Sequence, residues 1–301
     1  MSSRRLFIYC CSGREDDRGV FMTPSEAPSI SVIVNTYNWP EALKLSLQSL
    51  AGQTERCFEV IVADDGSRPD TADVVNAFAG SAPIAVRHVW HEDIGFRRAA
   101  ILNKAIGEAR GSYLIFIDGD CIPQPDFVAR HRALARLNYL VTGSRILLGQ
   151  EFSKQVLAAG TWNYQAFRRN ILRHRVKGDI SKITAFFMRL PWRRMSDYRS
   201  FVFRRIKGCN LACWKSDALS IGGFDESFTG WGYEDADFVF RLQDKGVVRR
   251  AGTWATEVLH IWHKPADPSR AATNEKIVLD RIAAARLRNK VSRKLLARRR
   301  R

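Results

Sequence analysis

The stretch that decides the fold reads Tyr113-Leu114-Ile115-Phe116-Ile117-Asp118-Gly119-Asp120. Its first five residues form an apolar run bounded by Gly111 and Gly119, which is typical of a strand buried on both faces of a parallel sheet. Two carboxylates follow directly. Because ligands of open α/β sheets bind beyond the carboxyl ends of the strands, we expect Asp118 and Asp120 to lie at the mouth of a ligand site.

Upstream of this strand, apolar strands alternate with helical patterns. Residues 30–34 are rich in β-branched side chains and end in Asn35-Thr36-Tyr37-Asn38, and residues 58–63 end in Asp64-Asp65-Gly66-Ser67. Helical spacing follows each of these segments. This order predicts an α/β protein with a mostly parallel, Rossmann-like sheet, right-handed crossovers and helices on both faces.

The alternation weakens after residue 126, where the pattern predicts elements of mixed type. They are a helix over 127–137, a strand over 140–148, a mostly helical, basic and aromatic segment over 152–206 with a break at Pro191, a helix over 237–245 and a charged C-terminal helix from about 274. We expect a disordered leader at 1–28, one domain at 29–270 and a basic helix or tail at 271–301. We expect this domain to have two halves, 29–126 and 127–270, with a basic insertion at 152–207 in the second.

The net charge of +17 is concentrated in two segments. Residues 161–207 hold 13 Lys or Arg against two Asp, and residues 281–301 hold ten Lys or Arg and no acid, which leaves −4 for the rest. Basic, aromatic helices bind anionic lipid, although such a charge run can also be simply solvated. No run of 18 apolar residues occurs, so we expect no transmembrane helix. From the basic segments we expect a cytoplasmic protein, peripheral on the cytoplasmic face of the inner membrane.

Two acidic turns are candidate ligand sites. The Asp118-Gly119-Asp120 turn can hold a divalent cation and leave room for phosphate oxygens, or it can be an ordinary polar turn. The carboxylates of Asp64 and Asp65 can accept hydrogen bonds from a base or a ribose hydroxyl, while Asp-Gly is also a common turn signal.

A second cluster reads Gly230-Trp231-Gly232-Tyr233-Glu234-Asp235. Its two acids stand at a predicted helix start, where negative charge is favoured. Capping of the helix from Ala236 would need only one acid, so the presence of two indicates a functional role in addition to capping. Further on, His260 and His263 are spaced to reach one metal, although such pairs are more often structural.

In their order along the chain, these motifs resemble the inverting glycosyltransferases of family 2, which have the GT-A fold. The resemblance covers about residues 29–270 and implies that the nucleotide-binding half is 29–126 and the acceptor-binding half is 127–270. Its later part is similar to a galactosyltransferase-type C-terminal region that also occurs in bacterial chondroitin and other capsule polymerases. The matching residues are Ser31-Val32-Ile33-Val34-Asn35-Thr36-Tyr37-Asn38, Asp64-Asp65-Gly66-Ser67, Asn103-Lys104-Ala105, Phe116-Ile117-Asp118-Gly119-Asp120, Gly222-Gly223-Phe224-Asp225-Glu226 and Gly230-Trp231-Gly232-Tyr233-Glu234-Asp235-Ala236-Asp237-Phe238.

The resemblance implies a role for each matching side chain. Asp235 would be the general base and Glu234 would orient the acceptor. Trp231 would stack on a sugar face, with Gly232 and Tyr233 beside it. Mn²⁺ or Mg²⁺ would be held most directly by Asp120, together with Asp118. His263 would complete the metal shell, with His260 as a candidate beside it; galactosyltransferases have a Met in place of this histidine ligand. The nucleotide would contact Thr36, Tyr37, Asn38, Asp64, Asp65, Asn103, Asp118 and Asp120.

The function implied is metal-dependent, inverting transfer of a hexose or N-acetylhexosamine from a UDP-sugar to a hydroxyl of a bacterial surface glycan. The acceptor would be a lipopolysaccharide core, a capsule or a lipid-linked oligosaccharide. A nucleotidyltransferase that makes sugar nucleotides would need a Gly-rich, Lys-bearing phosphate loop, which residues 35–40 do not provide. A nucleic-acid-binding protein rests on charge alone and leaves the acidic motifs unexplained, so we expect no nucleic-acid partner.

Overall fold

The computed structural model describes residues 28–187, 197–203 and 205–299. Almost all of the predicted leader and the predicted break at Pro191 lie outside these residues. The strands are β1 Ile30–Thr36, β2 Phe58–Asp64, β3 Ala85–Trp90, β4 Tyr113–Asp118, β5 Cys121–Pro123, β6 Tyr139–Thr142, β7 Arg145–Leu147, β8 Asp197–Tyr198, β9 Asn210–Trp214, β10 Val248–Ala251 and β11 Val258–His260. The helices are α1 Pro40–Ala51, α2 Pro69–Ala79, α3 Arg98–Glu108, α4 Phe127–Leu134, α5 Gln150–Ala159, α6 Tyr164–Arg169, α7 Ile171–Val176, α8 Thr184–Phe187, α9 Lys215–Ser220, α10 Glu234–Asp244 and α11 Ala271–Arg299.

The main sheet has eight strands in the order β3-β2-β1-β4-β9-β6-β10-β8. The first four are parallel, as predicted, while β9 is antiparallel to both β4 and β6. A second sheet has the order β5-β11-β7. The central strands are buried, which explains why residues 113–117 form an unbroken apolar run.

The core lies on both faces of the first four strands. Alternate β1 side chains point to opposite faces, so Val32 joins the cluster that contains Leu47 of α1 while Ile33 joins the cluster that contains Ile101 of α3. The two helices therefore hold the sheet from either side. This packing fixes the strand ends that carry the acidic motifs.

The strand predicted over 140–148 is wrong as a single element, because the chain changes sheet within it. Strand β6 belongs to the main sheet and β7 to the second one. Between them, Gly143 lies so close to Asn210 that a Cβ atom would meet its side chain at 2.2 Å. Only glycine fits this close approach, which lets the chain cross between the sheets.

Several aromatic side chains of the basic segment face the core, although Phe187 is exposed. The side chains of Phe167, Ile171 and Phe186 are buried in a cluster that packs on α1, β7 and β11. Buried rings in this segment therefore help to build a third layer of core, formed by the helices α5 to α8.

Helix α11 packs against α10 instead of standing apart as a tail. Its residues Val278 and Ile282 share a buried cluster with Phe228 and Phe240. Arg281 Nη1 lies 2.5 Å from Asp237 Oδ1, and Arg281 also pairs with Asp225. Part of the positive charge counted in this segment is therefore neutralised within the fold. Among the described residues, no helix is both long and apolar enough to cross a membrane.

Candidate active site

The carboxyl ends of β1, β2 and β4 meet at one edge of the main sheet. The register places Thr36 beside Asp64 and Asn35 beside Asp118. Gly119, directly after β4, lies close to Thr36 at the end of β1: a Cβ atom on Gly119 would lie 3.1 Å from the Thr36 hydroxyl oxygen. Thr36, predicted to contact the nucleotide, is buried and supports this turn.

Asp64 and Asp65 are buried at the end of β2, with their carboxylates held by protein donors. His88 Nε2 lies 2.9 Å from Asp64 Oδ2, and His91 Nε2 lies 2.7 Å from Asp65 Oδ1. The Arg97 N–H donates to Asp65 Oδ2 at 3.0 Å. Burial raises the pKa of Asp65, while the bonds from His91 and Arg97 act in the opposite direction. A nucleotide base would have to use the remaining lone pairs of these oxygens.

The loop after β1 lies beside a cleft of about 410 Å³. Tyr37 is exposed, and its hydroxyl donates to Asp93 Oδ2 at 2.9 Å. Asn38 has a positive φ of 47°, and its Oδ1 accepts from the Arg68 N–H at 2.9 Å. The cleft is lined by Ser67, Arg68, Pro69, Ala72, His88 and Trp90.

Asn103, also predicted to contact the nucleotide, holds a loop of the other half of the domain. Its amide nitrogen donates to the Phe224 carbonyl at 2.8 Å and to Glu226 Oε1 at 2.9 Å, and its oxygen accepts from the Phe224 N–H at 2.7 Å. Both amide protons are therefore used within the protein. Its position assigns Asn103 to loop anchoring, and a nucleotide contact would have to be made alongside these bonds.

Arg98 connects the two acidic motifs. One guanidinium nitrogen, Nη2, lies 2.8 Å from Asp118 Oδ1 at the end of β4, and Nη1 lies 3.2 Å from Glu234 Oε1 at the start of α10. The side chain is only 8% exposed. Burial acts to lower the pKa of Arg98, but the charges of Asp118 and Glu234 outweigh it and raise the pKa.

Our sequence reasoning missed Arg98, although a signal was present. Arg97 and Arg98 stand at the start of α3, where the helix dipole disfavours positive charge. An Arg pair in that position indicates that acids from elsewhere in the fold lie close by.

Helix α10 begins at Glu234, three residues earlier than predicted. Tyr233 stands at its N-cap with a φ of 72° and makes no side-chain cap bond, while Asp235 bonds an amide of the first turn, so the needs of the helix start do not account for Glu234. Burial raises the pKa of Glu234 to about 7, with Arg98 opposing and Asp235 adding to the shift. Glu234 Oε2 is buried and has no hydrogen-bond partner among the described residues. Asp235 is half-buried, and its Oδ1 accepts from the Ala236 N–H at 2.7 Å.

The Gly-Trp loop before this helix is shaped by α11. Gly230 and Gly232 have φ angles of 72° and 108°, which favour glycine. Asn274 of α11 donates to the Gly232 carbonyl at 2.9 Å. The Trp231 side chain is 48% exposed, so its ring is available as a platform for a sugar face.

A carboxylate and two imidazoles converge where β4, β5 and β11 meet. Asp120 Oδ2 lies 3.2 Å from His263 Nε2 and 3.6 Å from His260 Nε2. The ligand atoms of Asp120, Cys121 and His260 lie within 4.8 Å of one another. Such nitrogen and oxygen donors, with a nearby thiol, suit a divalent transition metal. Asp118, predicted in the same set, instead gives one oxygen to Arg98.

The charges in this cluster stabilise one another. Burial acts to raise the pKa of Asp120, but His263 and His260 outweigh it and lower the pKa. The hydrogen bond to Asp120 raises the pKa of His263, while burial lowers that of His260. Cys121, which sequence reasoning passed over, follows Asp120 directly and faces His260 across the pair of strands β5 and β11.

Two family models match consecutive parts of the chain. Residues 31–196 match the model described as glycosyl transferase family 2, and residues 193–264 match one described as N-terminal domain of galactosyltransferase. Validoxylamine A glucosyltransferase of Streptomyces hygroscopicus subsp. jinggangensis is 27% identical over 260 residues, which are 78% of this chain and 57% of that protein. Chondroitin synthase of Escherichia coli is 27% identical over 236 residues, which are 74% of this chain and 33% of that protein.

Solved structures share the fold at low sequence identity. A mannosyltransferase of Pyrobaculum calidifontis, solved with GDP-Man and Mn²⁺, aligns with a TM-score of 0.53 and 20% identity over 79% of this chain and 58% of that one. GalNAc-T7, solved with UDP, GalNAc and Mn²⁺, aligns with a TM-score of 0.60 and 14% identity over 89% of this chain and 50% of that one. The predicted GT-A fold is confirmed. The chain spans 33% to 57% of the curated relatives named above, and with more than half of its length matched to one family model it belongs to glycosyltransferase family 2.

Proposed function

We propose that this chain transfers a hexose or N-acetylhexosamine from a UDP-sugar to a glycan hydroxyl, with inversion at the anomeric carbon. The observation that carries the proposal is the Arg98 bridge. It joins Asp118, at the edge where nucleotides bind in open α/β sheets, to Glu234, which neighbours Asp235. Donor and acceptor would therefore meet across this residue. Within this scheme residues 29–126 bind the nucleotide and residues 127–270 the acceptor.

Asp235 is the proposed general base. Its carboxylate takes the proton of the acceptor hydroxyl while that oxygen attacks the anomeric carbon, on the face opposite the diphosphate. The bond between the anomeric carbon and the diphosphate oxygen breaks, and its electron pair leaves with the nucleoside diphosphate. Glu234 and Trp231 orient the acceptor. One base suffices because the leaving group needs no proton, unlike the two-carboxylate arrangement of a hydrolase.

Asp120, His263 and His260 would hold Mn²⁺ or Mg²⁺, with Asp118 directed to the ribose or the metal. The buried carboxylate between two imidazoles fits Mn²⁺, whereas Mg²⁺ prefers oxygen ligands alone. When bound, the ion offsets the negative charge that develops on the diphosphate. The Mn²⁺ and sugar nucleotides in the two solved neighbours support a divalent metal and a sugar-nucleotide donor for this chain.

The base of the donor nucleotide and the acceptor would be selected by different parts of the site. The buried oxygens of Asp64 and Asp65 beside the 410 Å³ cleft support recognition of a base with N–H donors. Relatives named chondroitin synthase and validoxylamine A glucosyltransferase support a carbohydrate-like acceptor. For this chain we propose a surface glycan, either a lipopolysaccharide core, a capsule or a lipid-linked oligosaccharide.

A donor panel tests this function. Purified protein is incubated with UDP-, GDP- and dTDP-sugars and with candidate glycans, and released nucleotide is measured with Mn²⁺ and with EDTA. We expect release from a UDP-sugar only when a matching acceptor is present, and a loss of at least about 100-fold in EDTA, since a Lewis acid contributes several kcal/mol. Release from GDP-sugars alone would overturn the uridine assignment, and full activity in EDTA would overturn the metal.

We also propose that the acceptor is met at an anionic membrane surface, through the exposed face of α6 and α7. Leu172 and Val176, one helical turn apart, are 68% and 89% exposed. Arg169, Arg173 and Lys177 are exposed beside them. Exposed apolar side chains framed by cations are typical of helices that lie in a lipid interface.

Replacement of this face should weaken membrane binding. The double variant Leu172→Ser/Val176→Ser should bind phosphatidylglycerol-containing vesicles at least about tenfold less well, since each buried side chain contributes about 1.5 kcal/mol or more. Binding is measured by cosedimentation, with Leu219→Ser as the control because Leu219 is exposed on α9. A second variant is truncated after residue 288, which keeps the ion pairs of Arg281 and Arg288. Its cosedimentation shows whether the basic residues beyond 288 contribute to vesicle binding. Equal sedimentation of wild type and both variants would contradict a membrane role.

A further inference from the structure

A half-buried arginine stands beside the proposed metal cluster without an acidic partner. Arg145 opens β7, which runs parallel to β11 with Arg145 opposite Val258. Because side chains two residues apart on a strand share a face, Arg145 and His260 lie diagonally on the same face of the small sheet. That face also carries Cys121, which pairs with His260 from the other side.

The contacts of Arg145 are to uncharged groups. Its Nη1 lies 3.1 Å from His260 Nε2 and 4.0 Å from Cys209 Sγ. Across the described ranges, no carboxylate pairs with it. The part-buried arginines Arg132 and Arg250, by contrast, each have an acid within 3 Å, Glu55 and Asp197 respectively. A cation that is partly withdrawn from water without a counterion is unfavourable, so the position of Arg145 indicates that an anion binds there.

The neighbours of Arg145 define which anion fits. Asp120 Oδ2 lies 3.6 Å from the same His260 nitrogen, Nε2, that Arg145 contacts, so the guanidinium borders the proposed metal cluster. Guanidinium groups bind phosphate oxygens through two parallel N–H donors. We propose that Arg145 binds the diphosphate of the nucleotide donor. This inference rests on the proposed function, because it names the group that holds the leaving diphosphate.

The present contact with His260 suggests an exchange of partners. While Arg145 donates to His260 Nε2, the lone pair of that nitrogen is occupied. When the guanidinium turns to a diphosphate, Nε2 becomes free for a metal. Loss of the Arg145 side chain should therefore weaken binding of the diphosphate and leave metal binding to the free protein intact or stronger.

Calorimetric titration of Arg145→Met separates these effects. We expect UDP affinity to fall about 10- to 100-fold, as for loss of a charged hydrogen-bond partner, while uridine affinity stays unchanged. Mn²⁺ affinity of the free protein should be equal to or above that of wild type. Arg145→Lys should recover part of the UDP affinity, and Arg173→Met, an exposed site on α7, should behave as wild type.

Each other outcome overturns the inference. Unchanged UDP affinity in Arg145→Met would remove the diphosphate contact, even if acceptor binding fell instead. A parallel fall in UDP, uridine and Mn²⁺ affinity would show that Arg145 only supports the shape of the site. GDP and guanosine are titrated in the same way. If the protein prefers guanine to uracil, the contribution of Arg145 to diphosphate binding is then still measured. If wild type binds neither UDP nor GDP, the proposed function itself fails, and this inference fails with it.

Discussion

Asp235→Asn is expected to lower sugar transfer by about 10²- to 10⁴-fold, the contribution of a general base. Asparagine has nearly the same shape but cannot take a proton from the acceptor hydroxyl. Asp235 is half-buried beside the buried Glu234, so the substitution removes a charge without opening a cavity. UDP affinity in Mn²⁺ should stay within about twofold of wild type. The proposed role of Asp235 is to act on the acceptor hydroxyl in the transition state, so its loss should lower turnover and not nucleotide binding.

The measurement is steady-state turnover together with UDP titration of the same preparation. Asp244→Asn is the matched control, since Asp244 ends the same helix and pairs with Arg288 on the far side from the site. That variant should keep full turnover. Near-wild-type turnover of Asp235→Asn would show that another group accepts the proton.

Arg98→Met is expected to lower the free energy of unfolding by about 3–5 kcal/mol, the usual effect of removing one partner of a buried ion pair. The guanidinium is 8% exposed and holds both Asp118 and Glu234. Without it, two acids remain near Asp235 with no cation between them. Urea denaturation measures the loss, and transfer should fall as well because the two acidic motifs are no longer tied together.

Arg97→Met provides a neighbouring comparison. The Arg97 side chain is 38% exposed and lies 3.8 Å from Glu226, so its replacement should change stability by no more than about 1 kcal/mol. A double variant, Arg98→Met with Glu234→Met, should recover part of the lost stability because a buried acid is removed with its partner. Equal stability of Arg98→Met and Arg97→Met would show that the bridge contributes nothing to the fold.

The sequence predicted the parallel half of the sheet because its physical signals are local. Apolar, β-branched residues marked β2 and an unbroken apolar run marked β4, and the acids that follow lie at one edge because parallel strands end together. Asp120, His260 and His263 were grouped from the family resemblance, and the structure brings the three side chains together. The roles given to these residues stay predictions.

Long-range contacts explain what the sequence did not reveal. Arg98 acts through partners 20 and 136 residues away, and no local pattern encodes such a meeting. The change of sheet at Gly143 depends on Asn210, which lies far along the chain. The rings of Phe167 and Phe186 are buried by packing on other elements, and the composition of the segment did not reveal which of its rings are buried.

Helix α11 makes the acceptor side of the site depend on residues beyond the end of the family resemblance. Asn274 donates a hydrogen bond to the Gly232 carbonyl, and Arg281 pairs with Asp237. The chain after residue 270 therefore supports the loop that carries Trp231. A catalytic fragment cut at residue 270 would retain the full set of proposed catalytic side chains and still lose the scaffold that aims Trp231 and Asp235. The smallest active unit should therefore extend at least to Arg281, and a protein fused to or bound along α11 could change how Trp231 and Asp235 are positioned.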